Sequence, residues 1–205
     1  MAASYLPSPK EIQAIVEEEL TNIGGRPAET TRQRGRLFLR ATVPHTRQVR
    51  PNDHVQGGVA VTTTGREISV YPYVFRPLCR SGVIMAHSLE TKRIKRVESG
   101  CTPQTLARLR KRLRNLVQQC ASSETLSAVT DQLRTAADAQ VDAALQMSAV
   151  ISRIPRRQSS LLLSQILSEF HDDEDASVYA LMNAVAAVAR DEDDPETKWN
   201  LEELA

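Results

Sequence analysis

Apolar side chains recur at helical spacing near the start of the chain. The stripe consists of Ile12, Ile15, Val16 and Leu20. Ser8, Pro9 and Glu11 supply an N-cap, a proline at the first helical position and an early acid, which together mark a helix N-terminus. The pattern predicts a short amphipathic helix over residues 8–20 and a loop over residues 22–31.

Beyond residue 31 the spacing becomes alternating, which is typical of β-strands. One side of the first run carries Leu37, Leu39, Ala41 and Val43. The other side carries Arg34, Arg36, Phe38, Arg40 and Thr42. A second run over Gly58–Thr63 and a third over Arg66–Phe75 flank a Thr-Gly turn, and they predict a hairpin. Pro72 lacks a backbone N–H, so it predicts that the third strand lies at a sheet edge or carries a bulge.

From Thr102 onward the spacing is helical again. The first helix has the apolar stripe Leu106, Leu109, Leu113, Leu116, Val117 and Cys120. A longer helix is predicted from Ser122 or Ser123 to about Ser152, and further helices over Leu161–Phe170, Val178–Arg190 and Trp199–Leu204. The fold class predicted is α+β, a small antiparallel β-sheet in the N-terminal half followed by an α-helical C-terminal half. We expect a basic β-rich part with an N-terminal helix over residues 1–100 and a helical part over residues 101–205, in one continuous domain.

Charge divides the chain into two opposed blocks under a net charge of +1. Residues 21–120 contain 19 Lys and Arg against 5 Asp and Glu, and residues 121–205 contain 6 against 16. Arginine supplies 21 of the 26 basic residues, and its planar guanidinium can hold a phosphate or a carboxylate through two hydrogen bonds. The first block therefore predicts a surface for an anionic partner. Two other interpretations stay open: a GC-rich genome that favours arginine, and an acidic half that folds back onto the basic half.

Nucleic acid is the partner that the basic block favours. The candidate phosphate-binding residues are Arg34, Arg36, Arg40, Lys92, Arg93, Lys95, Arg96, Arg108, Lys111, Arg112 and Arg114. No Asp or Glu lies between Glu98 and Glu124, so the helical cations lack acidic partners at helical spacing. Aromatic residues make up 4% of the chain, which argues against a sheet that stacks bases. We therefore predict sequence-tolerant phosphate contacts to single- or double-stranded nucleic acid.

A structural or protein-interaction module is the alternative function. In that case the basic half pairs with acidic helices of the same chain or of a neighbouring subunit. Opposed charges also suit head-to-tail association into a homo-oligomer.

Other function classes have little support in the sequence. No apolar run approaches the ~20 residues that cross a bilayer, and the N-terminus lacks the pattern of a secretory signal. Three cysteines without a CxxC pair (Cys79, Cys101 and Cys120) favour a reducing cytoplasm. His54, His87, Cys79 and Cys101 lack metal-ligand spacing, and no common catalytic or nucleotide-binding motif is present. We predict a cytoplasmic protein without metal or cofactor and favour a non-enzymatic function. A cysteine- or metal-dependent enzyme, which would need Cys79 and His87 within hydrogen-bond reach in a cleft, stays open as a third function class.

The segment from Gly58 to Gly82 resembles the central motif of the phage/plasmid-like protein family. Members of that family show a glycine-bearing hairpin followed by Arg-x-x-Cys-x-Asn-Gly. Arg76, Cys79 and Gly82 match the pattern, whereas Ser81 replaces the usual Asn, so a role for that side chain does not carry over. The Asn183-Ala184 pair lies in a segment that is similar to a helix near the C-terminal end of the family's members. The resemblance implies a prokaryotic mobile-element context and no established reaction.

Overall fold

A computed structural model describes residues 6–76, 83–85, 92–95, 102–141, 152, 159–172 and 175–205. Within these ranges the chain forms six strands and six helices. The strands are β1 (Arg26–Gln33), β2 (Arg36–Arg50), β3 (Asp53–Thr63), β4 (Glu67–Phe75), β5 (Val83–Met85) and β6 (Lys92–Lys95). The helices are α1 (Pro9–Asn22), α2 (Pro103–Cys120), α3 (Ser123–Asp138), α4 (Ser159–Asp172), α5 (Val178–Arg190) and α6 (Pro195–Leu204). The protein is therefore α+β. Its helices do not all follow the sheet, because α1 precedes it.

The strands pair in the order β1-β2-β3-β4-β5, and β6 also pairs with β4. β1 is antiparallel to β2, and β5 and β6 are each antiparallel to β4. The predicted hairpin is present as β3 and β4. Its turn is closed by Thr64, whose backbone N–H donates to Glu67 O at 2.9 Å and whose hydroxyl accepts from the Glu67 amide at 3.2 Å.

Pro72 does not place its strand at the sheet edge, because β4 lies between β3 and β5. The expectation of an edge strand was therefore wrong. β4 pairs through residues 67–70 with β6 and through residues 73–75 with β5. Pro72 lies between these two segments, where its missing N–H removes no hydrogen bond to β5 or β6.

The chain entering the sheet differs from the prediction in one respect. α1 begins as expected, with the Glu11 amide donating to Ser8 Oγ at 3.3 Å and the Ser8 amide donating to Glu11 Oε2 at 2.9 Å. The loop predicted over residues 22–31 is wrong, since β1 starts at Arg26 and pairs with β2 as far as Gln33. β1 is exposed along most of its length, so it lacks the apolar alternation by which a strand is recognised.

The chain divides into two compact units, each built from three segments. Unit 1 comprises residues 1–45, 57–72 and 87–126, and unit 2 comprises residues 46–56, 73–86 and 127–205. Each unit combines segments from both sides of residue 100, and β2, β3 and β4 contribute residues to both. Unit 1 contains 16 basic and 9 acidic residues, and unit 2 contains 10 and 16. The units thus carry opposite net charge, although neither is a continuous part of the sequence.

The core of unit 1 is a layer of apolar side chains between one face of the sheet and two helices. α1 contributes the stripe predicted for it, with Ile12, Val16 and Leu20 all inaccessible. α2 contributes Leu109, Leu113, Val117 and Cys120. Each leucine buried there contributes about 1.5–3 kcal/mol to stability, so α1 and α2 are fixed on the sheet by their apolar faces.

The core of unit 2 is centred on α5, which is buried along nearly its whole length. It packs against α4, α6 and β5, and its alanine-rich apolar sequence suits contact on several sides. α3 ends at Asp138 and does not continue to Ser152. The backbone there turns to pair with the start of α5, where Val178 N donates to Ala139 O at 2.9 Å. None of the described helices combines the length and the apolarity that crossing a membrane requires.

Candidate functional site

The helical cations predicted to bind phosphate lie mainly on the solvent side of α2, in unit 1. Leu109, Leu113 and Val117 bury the opposite side of the helix. Because α-helical spacing separates the two faces, the charged side chains between these leucines point away from the core. The exposed cations of α2 are Arg108, Arg110, Lys111 and Arg112.

β6 adds cations beside those of α2. Lys92 Nζ donates to Gln119 Oε1 at 2.8 Å, and Arg112 Nη2 donates to Arg93 O at 3.3 Å. Arg93 and Lys95 are exposed. The cations of β6 and of α2, separate in sequence, therefore lie on neighbouring elements. We call the exposed set the α2–β6 patch: Arg93, Lys95, Arg108, Arg110, Lys111 and Arg112.

Most cations of the α2–β6 patch have no partner among the residues that the structure describes. Lys95, Arg108, Arg110 and Lys111 form no hydrogen bond or ion pair with any residue that the structure describes. Arg93 has only a loose partner, since its Nε lies 3.9 Å from Glu67 Oε1. Exposed cations without carboxylate partners produce a positive local potential that attracts anions.

The basic face predicted for the first alternating run, which forms β2, is not exposed as a whole. Arg40 is only 4% exposed, and its Nη1 donates to Glu29 Oε2 at 2.6 Å. Arg36 is half-buried, with Nε donating to Thr63 O at 3.4 Å and the guanidinium 4.8 Å from the centre of the buried Phe38 ring. The prediction failed because alternation shows which side of a sheet a residue faces, but not whether that side is covered. Arg34 is exposed at the β1–β2 turn and forms no hydrogen bond or ion pair with the described residues.

Arg114 differs from the other α2 cations because it contacts α1. Its Nη2 donates to Glu18 Oε2 at 2.8 Å, and its Nε lies 3.9 Å from the buried Glu19 carboxylate. Gln118, one turn further along α2, donates to Glu19 Oε1 at 2.6 Å. We therefore assign Arg114 to the packing of α2 on α1.

Three predicted residues lie outside the described part of the chain: Arg96, Cys79 and Gly82. The same holds for Ser81, His87 and Cys101. The functions expected of these residues stay predictions.

Arg76, the first residue of the family motif, belongs to a polar cluster in unit 2. Its Nε donates to Asp53 Oδ1 at 2.9 Å, and the Tyr179 hydroxyl donates to Asp53 Oδ2 at 3.0 Å. The side chains of Arg76 and Asp53 are 17% and 14% exposed. The Arg76 guanidinium also lies 5.6 Å from the centre of the Tyr179 ring, within cation–π range. One carboxylate thus links β3, the end of β4 and α5.

A second arginine approaches the same tyrosine ring. The Arg50 guanidinium lies 5.7 Å from the ring centre and donates to Asp175 Oδ2 and to the Ala137 carbonyl. Asp175 also accepts from the Ser177 amide and hydroxyl, each at 3.0 Å. Burial raises the pKa of Asp175, but hydrogen bonds from Arg50 and Ser177 outweigh this effect, so that its pKa lies below the usual value.

Asn183, the other family-motif residue, lies one turn beyond Tyr179 on α5 and is 6% exposed. Burial raises the pKa of Tyr179 well above its usual range. The Arg76 charge and the Asn183 amide oppose that rise, whereas Asp53 reinforces it. Asn183 Oδ1 is buried and has no hydrogen-bond partner among the residues that the structure describes. Arg76 and Asn183, which come from distant parts of the chain, therefore both influence the pKa of Tyr179.

No protein-family model, no curated protein and no solved structure matches this chain. The resemblance to the phage/plasmid-like family stays a prediction.

Sequence analysis missed the residue that links the unit 2 cluster, Asp53. The sequence offered two signals: the rarity of Asp53, as one of 5 acids in residues 21–120, and its position after Pro51 and Asn52, residue types that favour a tight turn. Within the part of the chain that the structure describes, no three His, Cys, Asp or Glu side chains are grouped so that they could hold a metal ion. In the cluster the described charges are paired, whereas the α2–β6 patch gathers several exposed cations that have no partner among the described residues.

Proposed function

We propose that the protein is a non-catalytic nucleic-acid-binding protein whose contact surface is the α2–β6 patch. The observation that carries the proposal is the unpaired state of Arg108, Arg110 and Lys111 on the exposed side of α2, among the described residues. Like charges along one helix face repel one another, and a polyanion in contact with them would relieve that repulsion. As the family resemblance implies, we place this activity in the cytoplasm of a prokaryote that carries a phage or plasmid.

The mode of binding proposed is phosphate-directed rather than base-specific. Phe38, Tyr71 and Tyr73 are buried, so they offer no ring on which a base could stack. Arginine and lysine side chains on a helix and a neighbouring strand reach phosphate oxygens, which position nucleic acid without reading its sequence. The patch would therefore bind many sequences with similar affinity.

The alternative, a protein-interaction module, is favoured by a different set of contacts. Arg40, Arg76 and Arg114 are each bonded to a carboxylate, so a part of the basic block does serve internal pairing. Those pairs do not involve the exposed cations of α2. Nucleic-acid binding explains the exposed cations of α2, which the internal ion pairs do not involve. For this reason we prefer it to the protein-interaction module.

Fluorescence anisotropy with labelled single-stranded and duplex 30-mers tests the proposal. We expect affinity to fall steeply between 50 and 200 mM salt, since counterions are released as phosphates are neutralised. The variant Arg108→Ala/Lys111→Ala should lower the slope of log affinity against log salt on duplex DNA by about 2, because each lost phosphate contact removes roughly 0.9.

A matched control removes the same charge elsewhere in unit 1. Arg26→Ala/Arg32→Ala deletes two exposed cations of β1, and it should leave both affinity and salt slope nearly unchanged. Equal losses from the two double variants would show that only net charge matters, and the α2–β6 patch would no longer be the interface. Absence of binding to either oligonucleotide at 50 mM salt would refute nucleic-acid binding itself.

A further inference from the structure

A groove between α4 and α5, in unit 2, has an apolar floor. Leu161, Leu162, Ala187 and Val188 line it. Leu161 is 64% exposed and is the only large apolar side chain so exposed among the described residues. A single exposed leucine is common on protein surfaces. Leu161, however, adjoins the apolar floor of the groove, so a partner that enters the groove would also bury it.

The rim of the same groove is acidic. Glu169 on α4 and Asp191, Glu192 and Asp193 after α5 line it. Asp191 is already bonded to Arg190 at 2.8 Å, and Glu192 accepts from the Asp194 amide at 3.0 Å. Glu169 and Asp193 are exposed and form no hydrogen bond or ion pair with residues the structure describes. The groove therefore offers apolar surface together with two carboxylates that have no hydrogen bond or ion pair among the described residues, although Glu169 is close enough to Arg190 to raise the pKa of that arginine.

Arginine fits this combination better than other side chains do. Its aliphatic stem covers apolar surface while its guanidinium reaches a carboxylate at the edge, and the planar head can hold that carboxylate through two hydrogen bonds. A matching ligand presents several arginines on one helix face. The chain itself has such a face, in the exposed cations of α2.

We propose that the α4–α5 groove of one molecule binds the α2 face of a second copy of this chain. The units that carry the two surfaces have net charges of −6 and +7, so attraction would steer groove and helix together. The two surfaces differ, so the contact is heterologous and adds copies head to tail. Where the nucleic-acid-binding function also holds, the groove and phosphate compete for the same α2 cations, and nucleic acid releases the assembled copies.

Sedimentation velocity with two complementary variants tests the contact. Glu169→Lys/Asp193→Lys reverses the groove and leaves α2 intact, while Arg108→Glu/Lys111→Glu reverses α2 and leaves the groove intact. The unmodified protein should associate with rising concentration at low salt, and each variant alone should be monomeric. An equimolar mixture should associate again, because the unchanged groove of one variant meets the unchanged α2 face of the other and the two reversed surfaces carry opposite charges.

A substitution that leaves the net charge unchanged tests the apolar floor of the groove. Leu161→Ser should weaken self-association by about ten-fold or more, because its apolar surface is no longer buried in the contact. Helical content measured by circular dichroism should stay unchanged in all variants, since the substituted residues are exposed.

Several outcomes would overturn the proposal. The proposal would be wrong if the unmodified protein stayed monomeric at all concentrations. This includes the case in which α2 binds the groove of the same molecule. Association that persists in either variant would also overturn it, as would a mixture that does not associate. Nucleic-acid titrations keep the two proposals separate: the groove variant should bind nucleic acid and the α2 variant should not, whatever their states of association.

Discussion

At the scale of single residues, Asp53 connects three elements of the polar cluster in unit 2. Its two oxygens accept from Arg76 and from Tyr179. Asp53→Ala would leave the Arg76 guanidinium largely buried without this carboxylate, and such losses cost about 3 kcal/mol. We expect a decrease of that size in the free energy of unfolding, measured by urea denaturation.

Tyr179→Phe serves as the control for that prediction. It removes the hydroxyl and keeps the ring against the two guanidinium groups, so the expected loss is about 1 kcal/mol. The double variant should lose less than the two single losses combined, because both changes remove the same hydrogen bond. Strict additivity would contradict the assignment of Asp53 as their common partner.

Asp175 gives a residue-scale prediction that depends on pH. Its hydrogen bonds from Arg50 and Ser177 hold its pKa below the usual value. A carboxyl group with a lowered pKa in the folded state adds stability above its unfolded pKa, and this contribution is lost as pH falls through the folded value. Asp175→Asn should therefore lower Tm most clearly near pH 7, and the difference should close below about pH 4.

The matched control for Asp175→Asn is Asp193→Asn, which removes an exposed acid without a described partner. Thermal unfolding of the three proteins from pH 7 to pH 3 gives the comparison. A Tm difference for Asp175→Asn that stays constant over this range would contradict the stabilising pair with Arg50.

At the scale of secondary-structure elements, the joint between α1 and β1 depends on Gly25. A Cβ atom at Gly25 would lie 3.2 Å from both Leu20 O and Thr42 O. Neither oxygen can move easily, because Leu20 O accepts from the Gly25 amide at 2.7 Å and Thr42 pairs with Arg26 across the sheet. Gly25→Ala should destabilise the protein by about 1–3 kcal/mol in urea.

Gly65→Ala is the corresponding control in the β3–β4 turn. A Cβ atom at Gly65 meets no other atom within 4 Å, so we expect a change within about 0.5 kcal/mol. If Gly25→Ala were equally neutral, the close approach of α1 to β2 at this joint would be wrong.

The elements that sequence patterns predicted well are those with a buried face and a capped end. α1 and α2 have both, through Ser8 and Thr102 and their apolar stripes. β1 has neither, because it is exposed. Its pairing with β2 depends on backbone hydrogen bonds, which do not require particular residue types. α3 was predicted too long, since the apolar spacing continues past Asp138 while the backbone turns to pair with Ser177.

The candidate sites show the same division. The cations of α2 were predictable because helical spacing against Leu109 and Leu113 fixes which side is exposed. The burial of Arg40 and the meeting of Asp53 with Tyr179 were not predictable. Both depend on which distant segments are brought together, and spacing within one segment carries no information about that.

At the scale of the whole molecule, the opposition of charge is a property of the two units. Unit 1 gathers a net charge of +7 and unit 2 one of −6 from interleaved segments. The α2–β6 patch lies in the positive unit, and the acidic groove lies in the negative one. Both proposed partners, a polyanion and a second copy, follow from this arrangement.

The two units differ in net charge but share strands, because β2, β3 and β4 each contribute residues to both. Unfolding of either unit would have to break strands that the other unit also uses. We therefore expect one cooperative transition in urea. The single tryptophan, Trp199, is buried and reports on unit 2 by fluorescence.

Cys120 reports on unit 1. Burial raises the pKa of its thiol to about 12 despite the nearby Lys92 charge, so alkylation at neutral pH requires unfolding. Alkylation of the Cys120 peptide, followed by mass spectrometry, should have the same urea midpoint as the Trp199 fluorescence. Gly25→Ala in unit 1 and Asp53→Ala in unit 2 should each shift both midpoints together. Separate midpoints, or a variant that moves only the probe of its own unit, would show that the shared strands do not couple the two units.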